Sequence, residues 1–174
     1  SLFDGMSCGR LALERAGFPI TNYYASEIDK YAIQVARDNF PDTIHVGDVT
    51  QVVAADFPKI DLLLGGSPCQ GFSFAGGQLA FDDPRSKLFF EFVRLLKELK
   101  PRWFFLENVP MKQEFQDVIN EHLGVKPVRL NSNIVSAQNR DRLYWTNIPV
   151  KSFPENKRIY LKDILQDVAE IGEE

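Results

Sequence analysis

Ile60-Asp61-Leu62-Leu63-Leu64-Gly65-Gly66-Ser67-Pro68-Cys69-Gln70-Gly71-Phe72-Ser73 is the stretch on which the reading of the fold turns. Its first five residues form a short apolar run, the pattern of a buried strand in a parallel sheet. A cysteine just past the C-terminal end of such a strand stands where open α/β sheets bind their ligands. The flanking glycines let the backbone approach a ligand and let the loop move. From Cys69 to Asp82-Asp83-Pro84 the chain shows neither a helical nor a strand period. A loop of that length in a compact domain is characteristic of a lid or binding loop. Cys69 reads either as a nucleophile or as a small buried hydrophobe, and this stretch alone does not choose between them.

The bulk properties narrow the setting. A chain of 174 residues is enough for one domain with a sizeable core. It is 44% hydrophobic and 25% charged, an ordinary globular balance. No apolar run approaches the ~18 residues of a membrane span, and no signal-peptide pattern is visible. Cys8 and Cys69 lack CxxC or Cys/His spacing, so neither a metal site nor a disulfide framework is expected. An intracellular, reducing setting is the expectation. The net charge of −4 argues against a surface-wide nucleic-acid binder but leaves room for a local basic site. A start at Ser1-Leu2-Phe3, without methionine, suggests a trimmed chain or a fragment.

Outward from the cysteine loop, the chain alternates strands and helices. Leu2 to Gly9 reads as a first strand turning through glycine into a helix over 10–15, a turn that can cradle a ligand on a helix N-terminus. An ordinary tight turn is the alternative. Residues 22–27 read as strand two, ending in Glu27, about where an acid would meet a ribose hydroxyl, ~20 residues past a glycine turn. A solvated strand-end carboxylate is its alternative. Asp29 is expected to cap a helix with apolar face Tyr31, Ala32, Val35 and Ala36. Ile44-His45-Val46 reads as a strand with His45 on its surface, and Asp48 follows as a second strand-end acid. Residues 85–100 carry Leu88, Phe89, Phe92, Leu95, Leu96 and Leu99 at helical spacing, a core stripe. Trp103 to Leu106 is a buried strand running into Glu107-Asn108-Val109. Residues 114–123 form an amphipathic helix ended by Gly124, with His122 on its surface. Short alternating segments follow at 128–130, 133–136 and 143–147, then a last helix over 161–168. Arg140 and Arg142, two apart in an extended segment, project to the same side; a charged hairpin tip is the alternative. Together these elements predict a single α/β domain over 1–174 with a doubly wound, mostly parallel sheet.

A glycine turn, Glu27, Asp48, Cys69 and Glu107 thus line up at successive strand ends along one rim. The glycine turn and two acids suit an adenosine-containing cofactor; the cysteine, glutamate and arginines suit chemistry on an electron-poor ring. In this order and spacing the chain resembles a DNA cytosine carbon-5 methyltransferase. Phe3-Asp4-Gly5 is similar to that family's cofactor motif, Pro68-Cys69-Gln70 to its nucleophile motif and Glu107-Asn108-Val109 to its acid motif. Gln138-Asn139-Arg140-Asp141-Arg142 is similar to its base-binding motif. Phe-Asp-Gly, the Gly-Gly-Ser-Pro-Cys turn and Leu88-Phe89-Phe90-Glu91-Phe92 also resemble the eukaryotic de novo branch. Ser7 stands where most of the family has a further glycine, which is expected to loosen the grip on the cofactor without forbidding it.

The resemblance implies a Rossmann-like fold with S-adenosylmethionine as methyl donor and S-adenosylhomocysteine as product. It implies Phe3, Gly5, Met6, Glu27, Ile28, Asp48, Val49, Gly66, Pro68 and Leu88 at the cofactor. Cys69, Glu107, Arg140 and Arg142 are the implied catalytic set, with Cys69 adding to carbon 6 of a cytosine. Ser67, Gln70, Ser73, Arg85, Asn108 and Gln138 are implied at the substrate, double-stranded DNA with its target base flipped out of the stack. In the family a target-recognition region and a final motif follow; neither is read in 1–174. A trimmed chain, a split enzyme needing a partner chain and a minimal enzyme are all consistent with that. Two other readings stand beside the DNA enzyme: a catalytically silent binding homologue, and a cytosine methyltransferase of the same fold acting on RNA.

Overall fold

A computed structural model describes residues 1–68 and 84–165. Strand β1 (Tyr24–Ala25) runs parallel to β2 (Ile44–His45), with Tyr24 opposite Ile44. Strand β3 (Leu62–Gly65) runs parallel to β4 (Trp103–Asn108), with Leu62 opposite Trp103. Two further strands are antiparallel. β6 (Asp141–Thr146) pairs with β4, and β5 (Val128–Asn131) pairs with the far side of β6. Leu2 forms parallel bridges to both Ser26 and Gly65, which joins the two sheets in the order β2-β1-Leu2-β3-β4-β6-β5.

Helices fill the crossovers: α1 (Cys8–Arg15) before β1, α2 (Lys30–Asn39) between β1 and β2, α3 (Pro84–Leu99) between β3 and β4, and α4 (Gln113–Leu123) before β5. Their ends follow from local chemistry. Asp29 accepts hydrogen bonds from the Tyr31 and Ala32 amides at the start of α2. Lys100 takes φ 46° as α3 ends ahead of Pro101. Gly124 closes α4 in the left-handed region, φ 69°, where a Cβ would be strained. The stripe read on α3 is core: Phe89, Phe92 and Leu95 are fully buried against β3, β4 and β6. Gly65 is needed there, because a Cβ on it would sit 2.6 Å from Phe92 Cδ2.

Several expectations are corrected. The first strand shrinks to the single bridging residue Leu2, since Phe3 already turns at φ 56°. Tyr31 and Val35 are exposed rather than packed; only Ala36 of the expected α2 face is fully buried. His45 is not a surface residue: both ring nitrogens are shielded from solvent and lack a hydrogen-bond partner, and burial pushes its pKa below the usual imidazole value. The strand expected over 133–136 is a 3-10 turn, Ser132–Ile134, because the Asn131 side chain accepts the Asn133 and Arg140 amides. The last expected helix begins as a 3-10 turn, Leu161–Asp163, and its remainder from residue 166 lies outside the described residues. Among the described residues no helix is long and apolar enough to cross a membrane.

Candidate active site

The parallel strands deliver their C-terminal ends to one rim, and the turn Phe3-Asp4-Gly5-Met6-Ser7 lies on it. Three of these residues, Phe3, Gly5 and Ser7, have φ between 56° and 62°. The turn leaves the Gly5 N–H to donate to Glu27 Oε2 at 2.8 Å. Glu27 Oε1 accepts the Ile28 and Asp29 amides at 2.8 and 2.9 Å. Three backbone donors therefore fix the carboxylate beside the turn, and its remaining lone pairs can still receive a hydroxyl. Met6 and Ile28 project into solvent there, Ile28 at 75% exposure. Exposed apolar side chains around a fixed acid suit the flat face of a base and the edge of a ribose. Asp48 caps a short 3-10 turn, Val49–Gln51, by accepting the Thr50 amide, and stays exposed. Val49, expected at the cofactor, is buried in the core, so it has only backbone to offer a ligand. Leu88 is half-buried against the same core.

The second cluster forms where β4 meets β6. Glu107 Oε1 accepts from Arg142 Nε at 2.8 Å and from Arg140 Nη2 at 3.1 Å. The i, i+2 spacing thus puts both guanidiniums on one carboxylate oxygen. Glu107 remains 27% exposed through its side chain. Its Oε2 faces Gly66, at which a Cβ would lie 3.5 Å away. The β3 loop and the β4 acid are therefore neighbours, with no side chain between them. Ser67 and Asn108, expected at the substrate, are instead buried against each other, Asn108 at 2% exposure. The Asn108 Nδ2 donates to the Ser67 carbonyl at 3.3 Å, and the Val109 N–H donates to Asn108 Oδ1 at 2.8 Å. Asn108 thus ties the approach to Pro68 onto the end of β4. Gln138 is exposed, and its carbonyl accepts the Ser132 hydroxyl. Cys69, Gln70, Ser73 and the Arg85 side chain lie outside the described residues, as does the loop over 71–83.

Sequence reasoning passed over two residues here. Tyr144 sits directly opposite Glu107, and its hydroxyl pKa is raised by burial and then by the Glu107 charge. Its signal was available, since it continues the i, i+2 face of Arg140 and Arg142. Arg10 had none. It is buried in α1, where its Nη2 donates to both Asp42 carboxylate oxygens at 2.7 and 2.8 Å, Nη1 to the Thr43 hydroxyl and Nε to Glu14. A cavity of about 690 Å³ lies elsewhere, lined by residues such as Ile20, Asn22, Phe57 and Trp103, and takes in none of Glu27, Asp48 or Glu107.

Across residues 1–172 the chain matches C-5 cytosine-specific DNA methylase. It belongs to that family. The Type II methyltransferase M1.ScrFI of Lactococcus lactis subsp. cremoris is 35% identical over 183 residues, covering 98% of this chain and 46% of the relative. The Type II methyltransferase M.HgiCI of Herpetosiphon aurantiacus is 40% identical over 168 residues, covering 88% of this chain and 39% of its own. A solved structure described as a DNA modification methyltransferase encoded within an E. coli prophage superposes with TM-score 0.69 at 32% identity. It is matched over 83% of this chain and 44% of its own. The chain therefore spans less than half the length of these relatives. Its α/β architecture is that of the S-adenosylmethionine-dependent methyltransferases, as the family resemblance implied.

Proposed function

We propose that this chain carries the cofactor-binding and nucleophile half of a DNA cytosine-5 methyltransferase. The observation that carries the reading is the Glu107 carboxylate held by Arg140 and Arg142 beside Gly66, three residues before Cys69. The left-handed turn at Gly5 and the backbone-fixed Glu27 fit S-adenosylmethionine, with Met6, Ile28, Asp48 and Leu88 around it and Phe3, Val49, Gly66 and Pro68 completing the pocket. When bound, S-adenosylmethionine supplies the electrophilic methyl group that carbon 5 of the base takes up.

The chain's own residues make carbon 5 reactive. Carbon 5 of cytosine is a poor nucleophile, so the Cys69 thiolate first forms a bond to carbon 6, pushing an electron pair toward ring nitrogen 3 and the carbonyl. Glu107 delivers a proton to nitrogen 3 as that electron pair arrives and accepts from the exocyclic amine, and Arg142 binds the carbonyl oxygen where the remaining negative charge accumulates. Arg140 keeps Glu107 in place and faces the phosphate side. Once carbon 5 is substituted, loss of its proton to solvent lets the electron pair restore the carbon 5–carbon 6 double bond. That breaks the carbon 6–sulfur bond and releases the Cys69 thiolate, while nitrogen 3 returns its proton to Glu107. A base inside a duplex cannot reach this cluster, so the target is flipped outward. In this reading Ser73, Arg85, Gln70 and Gln138 contact the strand, and Ser67 and Asn108 support the site from behind.

Methyl-labelled S-adenosylmethionine, offered with either duplex DNA of mixed sequence or a folded RNA, tests the reading. Label is expected in 5-methylcytosine of the DNA. Label in the RNA alone would favour an RNA substrate, and cofactor binding without transfer to either would favour a silent binding homologue.

A further inference from the structure

Ser7 is the residue at which the cofactor turn departs from a glycine, and it is fully buried with φ 62° and ψ 35°. A left-handed backbone is costly for serine, because its Cβ crowds the following carbonyl. The surroundings offset that cost. The Ser7 hydroxyl donates to Asp4 Oδ2, and the Ser7 amide donates to the Asp4 carbonyl at 3.1 Å. The other Asp4 oxygen, Oδ1, accepts the Tyr23 hydroxyl at 2.7 Å. Tyr23 is itself immobilised: it is buried, and the Arg10 guanidinium lies 5.6 Å from its ring centroid. Burial and the Asp4 charge raise the phenol pKa, which keeps it a donor at ordinary pH. The Asp4 amide donates to the Ser26 carbonyl at 3.1 Å, one residue before Glu27.

We infer that Asp4, held by Ser7 and Tyr23, is a positioning residue that fixes the cofactor turn against Glu27 before any ligand arrives. The Ser7–Asp4–Tyr23 chain does by hydrogen bonding what a glycine at position 7 would do by lacking a side chain. Far from loosening the grip, Ser7 then becomes part of it. The inference rests on the reading of Gly5 and Glu27 as cofactor-binding, and it adds a second layer that the motif residues do not contain.

Titration calorimetry with S-adenosylhomocysteine, together with amide exchange at Gly5 in the ligand-free chain, tests it. Tyr23→Phe and Ser7→Ala each remove one hydrogen bond to the carboxylate and are expected to weaken binding about tenfold. Both are expected to speed Gly5 amide exchange while the far-UV spectrum is unchanged. Ser7→Gly loses the same hydroxyl but relieves the left-handed backbone, and is expected to bind between Ser7→Ala and the parent. Parent binding with Tyr23→Phe and Ser7→Ala both within twofold, and with unchanged Gly5 exchange, would overturn the inference. No binding by the parent chain would instead sink the cofactor reading. In that event Gly5 exchange alone still decides whether Asp4 fixes the turn.

Discussion

Glu107→Gln is expected to lower methyl transfer roughly a hundred- to a thousandfold, the loss typical of removing one group aimed at developing charge. The substitution keeps the volume and one acceptor oxygen, so the fold has little reason to change. It removes the negative charge shared by Arg140 Nη2 and Arg142 Nε. Both guanidiniums are then free to swing toward solvent or phosphate, and Arg142 loses the partner that aims it at the base. Glutamine can also present its amide nitrogen to ring nitrogen 3, where it cannot supply a proton as readily as a carboxylic acid. Binding of S-adenosylhomocysteine should stay within twofold, because Glu27 and Gly5 lie at another strand end. Single-turnover methyl transfer and calorimetry on the same preparation measure the two effects. A Glu107→Gln chain that transfers methyl groups within threefold of the parent would remove Glu107 from the catalytic set.

Trp145→Ala should have the opposite signature, a loss of stability rather than of a chemical group. Trp145 is fully buried on β6. Its indole N–H donates to Asn120 Oδ1 at 2.7 Å, which ties β6 to α4. Removing the ring deletes a large apolar volume and strands the Asn120 acceptor. Such truncations cost about 3–5 kcal/mol, a large share of the ~5–15 kcal/mol that holds a domain together. Chemical denaturation is expected to show a midpoint shifted well below the parent's with little change in slope. Trp145→Phe, which keeps most of the packing and loses the hydrogen bond, should lose markedly less. β6 carries Arg142 three residues earlier and pairs with Glu107 through Tyr144. Partial unfolding of this strand therefore disperses the Glu107 cluster, and activity should fall in parallel with the folded fraction. A Trp145→Ala chain as stable as the parent would show that the β4–β6–α4 packing is not what supports the site.

The rim of the sheet was readable because strand ends in an open α/β fold converge, so Glu27, Asp48 and Glu107, spaced by whole β–α units, stand at successive strand ends. Period 2 likewise placed Arg140 and Arg142 on one side, and both do reach Glu107. What escaped depends on side chains that override local pattern. Asn131 captures two amides and converts an expected strand into a turn. Phe3 ends the first strand early by adopting a positive φ that no propensity assigns to phenylalanine. Arg10 lies buried through partners more than thirty residues away, Asp42 and Thr43. The apolar face assigned to α2 failed for a geometric reason: Tyr31 and Val35 meet no second layer, so helical spacing alone did not imply burial. Ser67 and Asn108 carry motif identities, yet their polar atoms satisfy each other, a pairing that neither position reveals by itself.

The central claim is covalent catalysis by Cys69 on a flipped cytosine, and a trapping assay reaches it most directly. The chain, S-adenosylmethionine and duplex DNA carrying 5-fluorocytosine in varied contexts would be mixed and run on a denaturing gel. Fluorine at carbon 5 cannot leave as a proton, so elimination of the thiolate is blocked after methyl transfer. A retarded protein–DNA band that disappears in Cys69→Ser is the expected result. A parent chain that methylates DNA without ever forming that band, or a band that survives Cys69→Ser, would contradict the account.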